Sequence, residues 1–271
     1  MKGLPSWKEL LTEASERVMR ITMEIEGGKS RSRVVGRGAA GDDTLLADKK
    51  AEAVWIEALS AVPGLGILSE EAGPTGDPKA SSLAVLDPLD GSSNFERRIP
   101  FYCTSVAIVE GTRFEAVSHA LVRNLMTGDI YYAEKGKGST KNGKRIRTTL
   151  GTDLGSAVAG IDLSRSKEAT TVRVARLLPS IRRQVHFGAN ALELCLVAEG
   201  KIDAFIDIRG RLRVVDFAAA RLIAEEAGAV TTLVGGGHAA SPITLEGRFS
   251  LIASANQGLH REILSALGKL R

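Results

Sequence analysis

Apolar residues recur at helical spacing near the start of the chain: Trp7, Leu10, Leu11, Ala14, Val18, Ile21 and Ile25. That rhythm predicts an amphipathic helix, opened by the capping-box pair Ser6 and Glu9 and stopped at Gly27-Gly28. Lys29 to Gly41 has no apolar periodicity, several glycines and four basic residues, and reads as a mobile loop. A second helix is predicted from about Thr44 to Ser60, ending before Pro63-Gly64. Gly66-Ile67-Leu68 reads as a short strand running into Ser69-Glu70-Glu71. Pro74 to Ser81 reads as a turn-rich connection, and Leu83 to Leu86 as a second buried strand.

From Phe101 to about Arg147 the pattern changes to successive strands, reversed at Gly111-Thr112, Thr127-Gly128-Asp129 and Asn142-Gly143. The remainder alternates. Strands are predicted at Ala157 to Ile161, Ile181 to Phe187 and Ala204 to Ile208, and helices near Lys167 to Leu178, Ala191 to Glu199 and Asp216 to Gly228. A last strand and helix fall within Leu251 to Leu267. Strands and helices in layers, with a seam near Leu150 to Gly155, predict an α/β sandwich of two tightly joined halves, residues 1–150 and 151–271.

Composition narrows the class. With 44% hydrophobic and 25% charged residues spread along 271 positions, the chain is globular rather than disordered. Its longest apolar runs are far too short to span a bilayer, and the N-terminus lacks the pattern of a secretory signal, so a cytoplasmic protein with no membrane partner is expected. Cys103 and Cys195 sit in apolar runs and read as buried thiols. Four scattered histidines argue against zinc, leaving oxygen ligands for any metal. The net charge of +4 favours anionic partners without separating nucleic acid from a phosphorylated metabolite.

The most informative segment is Val85-Leu86-Asp87-Pro88-Leu89-Asp90-Gly91-Ser92-Ser93-Asn94-Phe95. A buried strand delivers Asp87 where the chain leaves the sheet, and Asp90 follows in a tight turn. Two carboxylates this close repel each other unless a cation intervenes. A hard ion such as Mg²⁺ suits such oxygens, with the Leu89 carbonyl between them. Gly91-Ser92-Ser93 reads as the start of a short helix whose free amides could hold a phosphate. A polar turn closing a strand would use the same residues. Glu70-Glu71 stands after another short strand and Asp216 at a helix start, while Asp42-Asp43-Thr44 opens a helix. Each of these acids also has an ordinary capping explanation.

Taken together, Ser69-Glu70-Glu71, Asp87-Pro88-Leu89-Asp90-Gly91-Ser92-Ser93-Asn94-Phe95 and Val215-Asp216-Phe217-Ala218-Ala219-Ala220 resemble the inositol monophosphatase family over nearly the whole chain. Gly41-Asp42-Asp43-Thr44 with Asp48 is similar to the archaeal branch, whose members often hydrolyse both inositol phosphates and fructose 1,6-bisphosphate. The resemblance implies a layered α-β-α-β-α sandwich of the inositol monophosphatase/fructose-bisphosphatase type, a homodimer, and two or three Mg²⁺ ions. It implies a metal set of Glu70, Asp87, the Leu89 carbonyl, Asp90 and Asp216, with Asp42 holding a looser ion through water. It implies a phosphate seat at Asp90, Gly91 and Ser92. A metal-activated water, oriented by Glu70 and the Ser92 hydroxyl, would attack phosphorus, and Asp42 with Thr44 would position the water that protonates the leaving group.

Three departures from the family pattern stand out, the last of which bears on substrate. Ser92 replaces the family's common threonine and keeps the hydroxyl. Val215 takes the place of a frequent tryptophan. Arg209 stands where inositol-preferring relatives tend to carry an acid, so its guanidinium could meet a second phosphate. Arg211 and Arg213 would share its face if the stretch is extended, although a solvated basic strand end fits the same residues. His186 and Asn190 match a substrate-wall segment of the family, where Asn190 could hydrogen-bond a sugar hydroxyl, although a turn or capping role fits it equally. The expected function is therefore Mg-dependent hydrolysis of inositol 1-phosphate or fructose 1,6-bisphosphate. The alternatives are a nucleotide-type phosphatase acting on 3′-phosphoadenosine phosphate or NADP, and a non-catalytic anion-binding relative. The basic cluster from Lys135 to Arg147 lacks interleaved aromatics, so no nucleic-acid partner is expected.

Overall fold

The structure is a computed structural model that describes residues 5–28, 30–39, 41, 43–111, 113–235 and 243–268. Asp42, Thr112 and His238 lie outside the described residues. Helix α1 (Trp7–Glu26) is followed by a small hairpin of β1 (Val34–Arg37) and β2 (Asp43–Leu45), then α2 (Leu46–Ser60). β3 (Leu65–Ser69), β4 (Gly73–Gly76) and β5 (Ser82–Asp90) lead into the short helix α3 (Ser92–Arg97). Five strands follow: β6 (Cys103–Glu110), β7 (Val117–Asn124), β8 (Ile130–Glu134), β9 (Gly138–Lys141) and β10 (Lys144–Arg145). The remainder runs β11 (Val158–Ile161), α4 (Glu168–Leu177), β12 (Arg183–Val185), α5 (Asn190–Ala198), β13 (Ala204–Leu212), α6 (Val214–Ala227), β14 (Val230–Gly235), β15 (Phe249–Ser254) and α7 (Gln257–Leu267).

Two sheets organise these elements. The larger has eight strands in the order β10-β9-β8-β7-β6-β5-β3-β4, and the smaller five in the order β12-β11-β13-β15-β14. Period-2 alternation sends neighbouring side chains to opposite faces. On β5, Ala84 and Leu86 join the core under α1 and α2, while Val85 joins the core shared with α5 and α6. On the smaller sheet Phe205, Leu251 and Ala253 face α5 and α6, and Ala204, Ile206 and Ile252 face α4 and α7. The layers are thus α1/α2, large sheet, α5/α6, small sheet, α4/α7. This is the α-β-α-β-α sandwich that the family resemblance implies.

Local differences have physical causes. The Ser6–Glu9 capping box forms, the Ser6 N–H donating to Glu9 Oε2 at 2.9 Å. The stretch expected as a loop instead folds into the β1–β2 hairpin, with Thr44 in β2 rather than at the helix start. Gly73–Gly76 is a strand despite Pro74, because it lies at the outer edge of the large sheet, where a missing N–H costs no ladder bond. Val214 and Val215 belong to α6 rather than to a strand, so Asp216 is the third residue of that helix and Arg213 its N-cap.

Candidate active site

The topology brings acids together at one sheet edge. β3 and β5 are parallel neighbours, Ser69 opposite Leu86, so both leave the sheet at the same end and carry Glu70 and Asp87 with them. The Glu70 N–H donates to the Leu86 carbonyl at 3.1 Å, extending the ladder one residue further. Asp216 arrives from the first turn of α6. One carboxylate oxygen from each of Glu70, Asp87 and Asp216 lies within 4.8 Å of the others. Asp87 and Asp216 are buried.

Asp90 stands beside this trio but is turned away. Its oxygens accept the first amides of α5, from Asn190 at 3.2 Å and Ala191 at 2.7 Å. Asn190 is thus fixed through its backbone as the first residue of α5. The Leu89 N–H donates to Asp87 Oδ1 at 3.1 Å, and Leu89 lines the cavity with Glu70 and Ser92.

Burial and mutual repulsion make these acids reluctant to ionise. Burial, opposed by Arg213 and reinforced by Asp216, pushes Glu70 up to about 7. Burial and the neighbours Glu70, Asp90 and Asp216 hold Asp87 well above the ordinary carboxylate range. Burial and Asp216 push Asp90 up to about 8. Converging hard oxygen donors that resist ionisation together form a set suited to a divalent cation.

Beside the acids, Gly91 caps α3 with φ +89°. A Cβ there would meet the Phe101 carbonyl and Ala189 at 3.1 Å and Tyr102 at 3.2 Å, so space and φ both demand glycine. No side chain caps the first turn of α3. Asn94 is structural, its amide nitrogen donating to the Phe101 and Phe187 carbonyls, each at 2.7 Å. The cavity above holds about 610 Å³ and is also lined by Asp43, Asp48, Ser93, Arg165, Arg209 and Arg211. Thr44 hydrogen-bonds through its hydroxyl to Glu71, tying the β1–β2 hairpin to the end of β3. Asp42 lies outside the described residues.

The substrate-wall residues are placed otherwise than expected. Arg209 is committed to Asp207 and Asp162, with Nη2 at 2.5 Å from each, and Nη1 donates to the Ser164 carbonyl at 2.8 Å. Its charge is matched before any substrate arrives. His186 lies between Glu193 (3.3 Å) and Asp162 (3.6 Å), and the hydrogen bond it donates to Glu193 raises its pKa. Arg213 does not share a strand face with Arg209 and Arg211, because β13 ends at Leu212 and its register is broken between Asp207 and Leu212. Its guanidinium instead reaches Glu70 Oε1 at 2.7 Å and Asp216 Oδ1 at 2.9 Å. The Arg213 contact was missed in the sequence; a base three residues before a first-turn acid is the signal that could have shown it. Arg165 and Arg211 are exposed at the cavity mouth and, among the described residues, make no ion pair with a carboxylate.

A family model described as the inositol monophosphatase family matches residues 6–271. The chain belongs to that family. It is accordingly a metal-dependent phosphatase, a phosphoric monoester hydrolase. It is 36% identical over 276 residues to a fructose-1,6-bisphosphatase/inositol-1-monophosphatase of Methanothermobacter thermautotrophicus, covering 96% of each chain. It is 31% identical over 277 residues to a bifunctional NADP phosphatase/NAD kinase of Methanococcus maripaludis, covering 93% of this chain and 49% of that one. A solved inositol monophosphatase–fructose 1,6-bisphosphatase superposes with a TM-score of 0.84 at 28% identity, over 97% of this chain and 100% of that one. Among the described residues, no helix is long and apolar enough to cross a membrane.

Proposed function

We propose that the protein is a Mg²⁺-dependent phosphomonoesterase that acts on a small phosphorylated metabolite, fructose 1,6-bisphosphate or inositol 1-phosphate. The observation that carries the reading is the convergence of Glu70, Asp87 and Asp216 from three separate elements to within 4.8 Å. These residues, with Asp90 and the Leu89 carbonyl, would hold the ions. Bound divalent cations would supply Lewis acidity and offset the charge of the phosphate. Residues 1–150 carry most of this set, and 151–271 complete it with Asp216 and the arginine-rich wall.

The chain's own groups do the rest. Gly91 and the amides of Ser92 and Ser93 seat the phosphate at the start of α3. Glu70 and the Ser92 hydroxyl, both on the cavity wall, orient the attacking water. Thr44, fastened to Glu71, holds its end of the hairpin over the cavity, where with Asp42 it would order the water that protonates the departing alkoxide. His186 and Asn190 act behind the substrate wall rather than on its surface. The molecule works as a homodimer in the cytoplasm.

Phosphate release from fructose 1,6-bisphosphate, inositol 1-phosphate, 3′-phosphoadenosine phosphate and NADP, measured in Mg²⁺ and in EDTA, tests the reading. Mg²⁺-dependent turnover of the first two, stopped by EDTA, is expected. Turnover confined to the nucleotides, or unaffected by EDTA, would overturn it.

A further inference from the structure

Most cationic side chains around the cavity have ordinary duties. Arg209 is neutralised by two carboxylates, Arg248 is turned to the Leu245 and Gly247 carbonyls, and Arg165 and Arg211 face solvent. Arg213 differs from all of them. Its guanidinium is inserted among the metal-ligand candidates themselves, bridging Glu70 and Asp216 at 2.7 and 2.9 Å, with the side chain only 16% exposed. Its placement is built in by the fold. As N-cap of α6 it donates its backbone N–H to Asp216 Oδ2 at 2.7 Å, while Nε approaches Oδ1 at 3.2 Å. One residue therefore holds Asp216 from both the backbone and the side chain.

We propose that Arg213 is a resident counter-cation of the acidic trio, one that holds Glu70 and Asp216 in position and lowers the trio's affinity for divalent ions. The inference rests on the metal-dependent reading above. Three ionised carboxylates carry three negative charges, and Arg213 leaves two to attract an incoming ion. A guanidinium stays charged at any pH the fold survives, so the reduction is permanent. Each carboxylate oxygen has a second lone pair, so the arginine can hold the ligands without closing them to an ion. It does compete for the same charge, and a competitor tethered at this distance weakens binding without abolishing it. The enzyme gains a preformed site and readily exchanged ions in return for lower affinity.

Removing the charge should tighten metal binding while loosening the metal-free fold, a pair of signs that a purely positioning role would not produce. Isothermal titration with Mg²⁺ or Mn²⁺, together with melting in EDTA, can be run on the wild type, Arg213→Met and Arg213→Lys. All three keep the backbone cap of α6. The Met variant should bind the ion about 10- to 100-fold more tightly, roughly 1.4–2.7 kcal/mol, yet melt several degrees lower in EDTA. The Lys variant should stay within about threefold of wild type, because it keeps the charge. Should Arg213→Met be too unstable without metal, Arg213→Gln repeats the titration. Unchanged or weaker binding in the neutral variants, with the wild type still binding, would overturn this inference alone. A wild type that binds no divalent ion would remove the phosphatase reading, and this inference with it.

Discussion

Replacing Asp87 by Asn separates function from stability, because the same charge serves one and burdens the other. Asp87 is 2% exposed and within 4.8 Å of both Glu70 and Asp216. At that separation and an effective dielectric near 20, each like-charge pair costs about 3 kcal/mol. Two such pairs set a ceiling that the trio does not reach, since a shared proton and Arg213 already relieve much of it. About 1–2 kcal/mol should remain at pH 8 in EDTA, where the relief from protonation is smallest. Asn is isosteric and its carbonyl can still accept from the Leu89 N–H, so that hydrogen bond is kept. The variant should therefore melt about 2–8 °C higher than wild type in EDTA. Its Mg²⁺-dependent turnover should fall at least about 10³-fold, as expected for losing roughly 4 kcal/mol of electrostatic stabilisation in the transition state. Calorimetry in EDTA and a phosphate-release assay in Mg²⁺ read the two effects on one preparation. Turnover within tenfold of wild type would refute the metal role of Asp87, and a lower melting temperature in EDTA would refute the electrostatic reasoning.

Three further predictions use the same geometry. In EDTA, Glu70 is raised from 4.5 to about 7 and Asp90 from 3.8 to about 8, so the folded state holds protons that the unfolded chain releases. Their stabilising effect is complete below about pH 4 and is lost as pH rises through 7–8. The melting temperature in EDTA should consequently fall between pH 5 and 9, and saturating Mg²⁺ should flatten the slope; a flat profile in EDTA would contradict the burial of these acids. At the mouth, Arg211→Ala should lower kcat/KM about tenfold for fructose 1,6-bisphosphate and less than twofold for inositol 1-phosphate, since only the bisphosphate has a second anion to meet it. Arg209→Ala should depress both substrates and lower the melting temperature, because it strands Asp207 and Asp162; selective loss on the bisphosphate would restore Arg209 as a selector.

The acidic trio was legible because each member sits at the end of an element with a strong pattern. Leu83 to Leu86 and Gly66 to Leu68 could only be buried strands, and two parallel strands must discharge Asp87 and Glu70 at the same edge. What stayed hidden was set by single backbone events. Read as strand, Arg209, Arg211 and Arg213 share one face; the register break after Asp207 and the helix start at Val214 part them, Arg209 to Asp207 and Asp162, Arg211 to solvent and Arg213 to Glu70 and Asp216. Whether a base binds substrate, pairs with an acid or enters a metal site thus depended on a shift of one or two residues. Periodicity does not resolve such a shift, because Arg209-Gly210-Arg211-Leu212-Arg213 holds a single apolar residue and so carries no alternation. The two charge changes at the trio give the complementary measurement. In EDTA, Asp87→Asn removes a repulsion and Arg213→Met removes an attraction, so their melting temperatures must move in opposite directions from wild type. In the double variant the two effects should not add, because the loss from Arg213→Met should be smaller when Arg213 has less negative charge to hold. A double-variant cycle that closed to zero would mean that Arg213 and Asp87 do not sense one another, and that the trio is not a single electrostatic unit.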